Sequence, residues 1–219
     1  MPVVASGNYL ATLSADLRVH WPENRLVHIV CHGHSVPAGY FATPLVDSFN
    51  AYPHLLHRLL KHRFPYAVMN VIVTAIGGET SVAGAERFAA DVLAVHPRVV
   101  MIDYGLNDRG VGLRAAEAAW RAMIEQSLAA DCQLILLTPT PLSTLCDPDD
   151  PQMLLVRKHA EQIRRLAIDY SIGLADSLGA FEQAIAGGQH ITNLLSWDNH
   201  PNRKGHELVA NEIARWFHA

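Results

Sequence analysis

Short apolar segments alternate with longer segments of helical periodicity along the chain, and this alternation limits the possible folds more than any other feature. Five segments are short, rich in leucine or β-branched residues and apolar enough to be buried on both faces: residues 26–31, 68–74, 99–103, 134–138 and 172–175. Segments with helical spacing lie at 50–63, 80–95, 112–130, 151–170 and 203–217, with a shorter one near 177–187. The alternation predicts a parallel sheet built from βαβ units.

The bulk composition suits one packed globular domain. Half of the residues are hydrophobic and 17% are charged, which supplies enough apolar material to bury both faces of a parallel sheet. The length of 219 residues is within the range of one α/β domain, so residues 1–219 are predicted to form a single domain. The net charge of −4 is spread along the chain, and we therefore expect neither nucleic acid nor an anionic membrane as a partner.

The cysteines and the first residues bear on localisation. Cys31, Cys132 and Cys146 form no close pair, and an odd number cannot all be bridged internally, so reduced thiols are expected. Residues 1–18 lack the basic end and unbroken apolar run of a secretory signal. No other stretch approaches the ~18–20 uninterrupted apolar residues of a membrane span. We expect a cytoplasmic protein, or a secreted one if a signal has been removed, and the sequence leaves the oligomeric state open.

The first candidate for chemistry lies directly after the first predicted strand, at the edge where open α/β sheets bind their ligands. Ser35 ends the turn Cys31-His32-Gly33-His34-Ser35, and a glycine-containing turn of this kind can expose a serine hydroxyl at the rim of the sheet. A serine in this place can also cap a helix or shape a turn. Ser35 is therefore a candidate nucleophile that needs a base elsewhere in the chain.

Two further turns carry groups that can stabilise a negative charge. Residues 75–81 follow the second strand and include Gly78, where the lack of a side chain lets a backbone amide approach a ligand. Residues 104–108 follow the third strand, and the Asn107 amide can donate a hydrogen bond to a developing oxyanion. Asp108 is expected to bond local backbone. Taken alone, both segments also fit plain turns.

The candidate base lies near the end of the chain. Residues 197–206 read Trp-Asp-Asn-His-Pro-Asn-Arg-Lys-Gly-His and precede an amphipathic helix. Because Pro201 restricts the backbone, His200 is expected at a defined place rather than on a flexible arm.

Four segments, in this order along nearly the whole chain, resemble the sequence blocks of the SGNH, or GDSL-like, hydrolase superfamily. They are Gly33-His34-Ser35, Gly78-Glu79-Thr80, Gly105-Leu106-Asn107-Asp108, and His200-Pro201-Asn202 with the later Gly205-His206. The resemblance implies an α/β fold, a flavodoxin-like three-layer α/β/α sandwich with a five-stranded parallel sheet, in agreement with the five segments above. It also implies a serine esterase that acts on a small-molecule ester and needs no cofactor and no metal ion.

The family's roles transfer to the matching positions residue by residue. Ser35 would be the nucleophile and His200 the general base. The oxyanion would be held by the backbone amides of Ser35 and Gly78 and by the side chain of Asn107. The implied reaction is acyl transfer to water through an acyl-enzyme at Ser35.

Two positions depart from the family's pattern. His34 stands where the first block normally has aspartate; because neighbouring side chains on an extended turn point apart, His34 is expected to face away from Ser35 and not to act as its base. Trp197 stands where the family has its acid, three residues before the histidine. Asp198 is the candidate third member of the triad if the segment is extended. If it is helical, a backbone carbonyl or no side chain orients His200.

Other chemistry fits the residue pattern less well. His54 and His57 share a predicted helix face, but no cysteine or carboxylate cluster completes a metal site. Cys31 ends a buried strand, where thiols are usually inert. A flavodoxin-like sheet can instead bind a nucleotide, but Gly33 alone is a poor phosphate-binding loop. A catalytically impaired member of the fold that only binds a ligand is the remaining alternative.

The expected substrates are esters of short acyl groups, acetyl to butyryl, with a soluble alcohol, for which a carbohydrate is one candidate. No predicted helix has the apolar face flanked by lysine and arginine that binds a lipid surface. The loop 138–151 and Trp197 are the candidate walls of the site. For Trp197, anchoring of the terminal helix in the core is the alternative.

Overall fold

The computed structural model describes residues 8–218, which contain one five-stranded parallel sheet. Its strands are β1 (Leu26–Gly33), β2 (Val68–Val73), β3 (Val99–Asp103), β4 (Gln133–Leu137) and β5 (Gly173–Ala175), in the spatial order β2-β1-β3-β4-β5. Every pair of neighbouring strands is parallel. The five predicted strands are confirmed, and β1 continues past residue 31 to Gly33.

Eight α-helices accompany the strands within the described residues. They are α1 (Ala11–Asp16), α2 (Ser35–Ala38), α3 (Tyr52–Arg63), α4 (Ser81–Asp91), α5 (Gly112–Ala129), α6 (Pro151–Asp169), α7 (Ser177–Ala186) and α8 (Arg203–Ala214). The six longer helices begin within two residues of their predicted positions. The sequence predicts neither α1 nor α2, because each is too short to show a helical period.

Side chains that alternate along the strands enter two separate hydrophobic cores. Ile29 and Met101 face the layer that contains α1, α3, α7 and α8. Val30 and Val100, the adjacent residues, face α4, α5 and the second half of α6. All four are fully buried, as expected for strands covered on both faces. The predicted three-layer α/β/α sandwich is confirmed.

The crevice of the fold lies at the ends of β1 and β3. Strand order reverses at β1, which lies between β2 and β3, and ligands of open α/β sheets bind at such a reversal. Gly33 pairs with Asp103, so the two strand ends are side by side. A Cβ atom on Gly33 would lie 2.4 Å from the Asp103 carbonyl oxygen. Only glycine therefore allows this close approach, which holds the following turn against β3.

No helix within residues 8–218 is both long enough and apolar enough to cross a bilayer. Residues 1–18, in which we expect no secretory signal, lie partly outside the described part of the chain. Cys31, Cys132 and Cys146 are all unbridged.

Candidate active site

The structure brings Ser35 and His200 into contact. Ser35 is the first residue of α2, directly after β1, and His200 lies in the loop before α8. Ser35 Oγ is 2.9 Å from His200 Nε2, although the two residues are 165 positions apart. A hydroxyl hydrogen-bonded to an imidazole nitrogen is the arrangement from which histidine can remove the hydroxyl proton.

A backbone carbonyl orients the His200 ring. His200 Nδ1 is 3.0 Å from the Phe41 carbonyl oxygen, and because a carbonyl only accepts, Nδ1 carries the proton and Nε2 is left to accept from Ser35. Burial lowers the pKa of His200 below its ordinary value; the bond to Phe41 acts against this shift, and nearby His34 adds to it. The ring is therefore neutral, and able to act as a base, at neutral pH.

Asp198 does not make the contact with His200 that an extended segment predicts. Its carboxylate accepts a hydrogen bond from the Ser143 hydroxyl, and its carbonyl oxygen accepts from the Ser143 amide (2.6 Å). The segment closes into a turn, in which the amide of Ser196 donates to the His200 carbonyl (2.9 Å). In a closed turn, residues two apart do not align their side chains, so the backbone-carbonyl alternative describes the orientation of His200 in the structure.

The three candidate oxyanion donors follow the carboxyl ends of β1, β2 and β3. The Ser35 amide is in the first turn of α2, where amides lack a partner within the helix. Gly78 has a φ of +79°, and a Cβ atom there would meet nothing within 4 Å, so the space beside it is open. Asn107 Nδ2 donates to the Glu79 carbonyl (3.0 Å), which leaves its second hydrogen for a ligand.

The Glu79 side chain belongs to a half-buried hydrogen-bond network that is not predicted from the sequence. Its carboxylate accepts from Arg87 Nε (2.7 Å) and from the Tyr104 hydroxyl (2.7 Å), and the same hydroxyl is 3.0 Å from His32 Nε2. Burial raises the pKa of Glu79, but the bonds from Arg87 and Tyr104 outweigh it and the net shift is downward. The Glu79 side chain is therefore ionised at neutral pH, and its backbone carbonyl positions the side chain of Asn107. The signal in the sequence was Gly84, in the middle of a helix, where a Cβ atom would lie 2.3 Å from the Tyr104 oxygen.

Asp108 ties the loop after β3 to the start of α4. It is fully buried, and its carboxylate accepts from the Ser81 amide (2.8 Å) and from Trp120 Nε1 (2.8 Å). The predicted bond to backbone is present, but Ser81 is distant in sequence rather than local. Asp108 thereby fixes the position of its neighbour Asn107.

His34 does not face away from Ser35, so that expectation is wrong. His34 Nδ1 lies 3.3 Å from Ser35 Oγ and accepts from the Val36 amide at 3.3 Å. The reason is that the chain turns into α2 at Ser35 instead of remaining extended, and His34 becomes the N-cap residue of that helix. The shorter contact of Ser35 is still the one to His200.

A model of the GDSL-like lipase/acylhydrolase family matches residues 31–208, from β1 into α8. The chain belongs to this family. One relative, the acetylxylan esterase of Geobacillus stearothermophilus, is 24% identical over 170 residues, which make up 72% of this chain and 76% of that protein. Family membership and this relative confirm the predicted enzyme class, a carboxylic ester hydrolase acting on a small-molecule ester.

Solved structures share the fold of this GDSL-like hydrolase. The crystal structure of Axe2, an acetylxylan esterase from Geobacillus stearothermophilus, superposes with a TM-score of 0.77 at 22% identity, covering 88% of this chain and 94% of Axe2. LAE5, an α/β hydrolase enzyme from the metagenome of Lake Arreo, Spain, gives a TM-score of 0.75 at 23% identity, covering 88% and 97%. Structures of Axe2 catalytic mutants at a serine, a histidine and an aspartate are also similar.

The structure does not support a metal site or a cysteine nucleophile among the residues it describes in this GDSL-like hydrolase. No three histidine, cysteine, aspartate or glutamate side chains within residues 8–218 come together as a metal ion would need. Cys31 is fully buried, and burial together with the Asp103 charge raises the pKa of its thiol far above the ordinary value. A thiol in this state is a poor nucleophile.

An exposed aromatic ring, Tyr40, lies beside His200, and a second exposed aromatic residue, Trp197, belongs to the turn that carries His200. The Tyr40 ring centroid is 6.1 Å from that of His200, and a Cβ atom on Gly77 would lie 2.8 Å from the Tyr40 ring. Trp197 is 58% exposed, so it does not anchor the terminal helix in the core, which was one of its two interpretations. Ser143 links the loop 138–151 to the turn that contains Asp198 and His200.

Proposed function

We propose that this GDSL-like hydrolase cleaves short-chain esters of soluble alcohols, and that acetylated carbohydrates are among its substrates. The observation that carries the proposal is the 2.9 Å contact between Ser35 Oγ and His200 Nε2, with His200 Nδ1 turned to the Phe41 carbonyl. This geometry gives a neutral histidine that can take up one proton on the nitrogen facing the nucleophile.

In the proposed mechanism His200 Nε2 takes the Ser35 hydroxyl proton as Oγ attacks the ester carbonyl carbon. The resulting oxyanion accepts hydrogen bonds from the Ser35 and Gly78 amides and the free Asn107 hydrogen. The C–O bond to the alcohol breaks, and the alkoxide leaves with the proton from His200. Water then attacks the acyl-enzyme, His200 takes a proton from it, and the acid departs as Ser35 Oγ is reprotonated.

We propose that Ser35 and His200 act as a catalytic dyad, in which the Phe41 backbone carbonyl orients His200 and no acidic side chain is needed. Axe2 has a catalytic mutant at an aspartate three residues before its mutated histidine, and Trp197 holds that position here. A dyad is adequate, because in subtilisin the loss of the acid costs about 3 × 10⁴ in kcat against roughly 2 × 10⁶ for serine or histidine. The Phe41 carbonyl supplies the orientation that the acid otherwise gives.

The substrate class is inferred from the surroundings of the pair and from the relatives. The acetylxylan esterases named above act on acetylated carbohydrate. Exposed Tyr40 beside His200, and exposed Trp197 in the turn that carries His200, are aromatic residues of the kind on which a sugar ring can stack.

A chain-length series of nitrophenyl esters, followed by acetylated xylo-oligosaccharides, tests this proposal. We expect kcat/KM to be highest for acetyl to butyryl esters and acetate to be released from the oligosaccharides. A steady rise of kcat/KM to twelve or more carbons, with a further increase above the micellar concentration, would replace the proposal with a lipase. Ligand binding without a burst of nitrophenol would identify a catalytically impaired binding protein.

A further inference from the structure

The residue that departs from the family's first block has an unusual partner. His34 is fully buried, and its Nε2 lies 3.4 Å from Asp103 Oδ1 at the end of β3. Its other nitrogen, Nδ1, accepts from the Val36 amide and lies 3.3 Å from Ser35 Oγ. One imidazole thus spans the distance between a buried carboxylate and the turn that carries Ser35.

These contacts select one tautomer of His34. Nδ1 accepts from an amide, so the ring proton is on Nε2, where it faces the Asp103 carboxylate. The opposite tautomer would turn an Nε2 lone pair toward the carboxylate and remove the acceptor of the Val36 amide. Since Nδ1 has a single lone pair already engaged by Val36, the Ser35 hydroxyl is left to donate to His200.

Asp103 is buried, and the His34 ring lies within ion-pair distance of its carboxylate. The Asp103 side chain is only 3% exposed, and an unpaired buried carboxylate is costly. Burial and the Asp103 charge raise the pKa values of Cys31 and Tyr52, and a hydrogen bond of Tyr52 to Asp103 adds to its shift, so both groups stay neutral. Among the described residues, His34 is the one that lies at ion-pair distance from Asp103.

We propose that Asp103 and His34 form a buried pair that positions Ser35: Asp103 fixes the tautomer of His34, and His34 Nδ1 caps the first turn of α2. The proposal rests on the proposed function in one respect, that Ser35 is the nucleophile. Neither residue touches the substrate; both act through the Ser35 turn. The pair also accounts for a histidine where the family's first block has aspartate, because Asp103, which pairs with Gly33 on the neighbouring strand, supplies a carboxylate to the same turn.

A compensation experiment tests the pairing. His34→Asp places a second carboxylate near Asp103 in a buried site, and we expect kcat to fall by about 10- to 100-fold, the range for removal of an outer partner of a site residue. Adding Asp103→Asn removes the repulsion while the introduced carboxylate still caps the Val36 amide, so kcat should recover by roughly 10-fold. KM should stay within about 3-fold in every variant, since the substrate contacts are unchanged. A double variant that folds but is no more active than His34→Asp alone would overturn the proposal.

Nitrogen-15 NMR of the histidine rings tests the tautomer without using activity. The wild-type protein and Ser35→Ala should both show His34 protonated at Nε2 alone, and Asp103→Asn should increase the Nδ1-protonated form. A wild-type His34 protonated at Nδ1 would contradict the proposal even if a variant fails to fold. Full activity in Ser35→Ala would instead reject the nucleophile and leave the tautomer result standing, so the two failures are distinguishable.

Discussion

The two halves of the candidate site are held in different ways. On the serine side, Ser35 and the oxyanion loops are fixed by buried or half-buried side chains: His34, Glu79, Asp103 and Asp108. On the histidine side, His200 is fixed by the Phe41 carbonyl and by a turn closed through main-chain bonds. Side-chain supports can be removed by one substitution, whereas main-chain supports cannot. Substitutions around the serine should therefore cost far more than substitutions around the histidine.

Substitution of Ser35 or of His200 should lower kcat equally, although the two residues are held by different groups. Ser35→Ala and His200→Ala should each lower kcat by about 10⁶, because each removes a group without which the proton transfer and attack do not occur. The measurement is hydrolysis of nitrophenyl acetate, with circular dichroism to establish that each variant is folded. A variant within 10-fold of wild type would remove that residue from the mechanism.

Asn107 tests the oxyanion donors of the site, which act beside the nucleophile Ser35 rather than as part of it. Asn107→Ala should lower kcat by about 10²–10³ with little change in KM, as expected for the loss of one oxyanion donor. Steady-state kinetics on the same ester measures both constants. If only KM changed, Asn107 would be a substrate contact rather than an oxyanion donor.

The network behind Asn107 gives a prediction of stability. Gly84→Ala would place a Cβ atom 2.3 Å from the Tyr104 oxygen, and we expect a loss of about 1–3 kcal/mol in the free energy of unfolding from overpacking. Gly110→Ala is the matched control, because its Cβ atom would meet nothing within 4 Å. Urea denaturation of both variants measures the difference. Equal stability of the two would mean that the network adjusts freely around Gly84.

The smallest effect is expected on the histidine side, at Asp198. Asp198 and its partner Ser143 are both exposed, and an exposed polar contact contributes about 0–1 kcal/mol. Asp198→Asn and Ser143→Ala should therefore each change kcat by less than about 5-fold, and by similar amounts, because both only loosen the link between two loops. A loss above 10-fold in Asp198→Asn with none in Ser143→Ala would restore Asp198 as the acid of a triad.

Features that depend on a local residue pattern, namely the strands and the turns at their ends, could be predicted from the sequence. Buried parallel strands have continuous apolar runs, so β1 to β5 were predictable, and glycine and proline beside Ser35 and His200 marked ordered turns at the strand ends. The Phe41 carbonyl was not predictable as the partner of His200, because every residue has such a group. The contact of Asp198 with Ser143 was not predictable, because a two-residue spacing aligns side chains only in extended backbone and this segment closes into a turn. The links of Glu79 and His34 join separate elements, so no spacing in the sequence encodes them, and only Gly84 in the middle of a helix marks the Glu79 network.

The central claim is that Ser35 is the nucleophile and His200 is its base. Labelling with a fluorophosphonate, followed by mass spectrometry of the digested protein, tests it most directly because this reagent forms a covalent bond with an activated serine. We predict one adduct, on the peptide that contains Ser35, with no label in Ser35→Ala and labelling slowed by at least about 10³ in folded His200→Ala. Labelling at another residue, or an undiminished rate in His200→Ala, would contradict the claim.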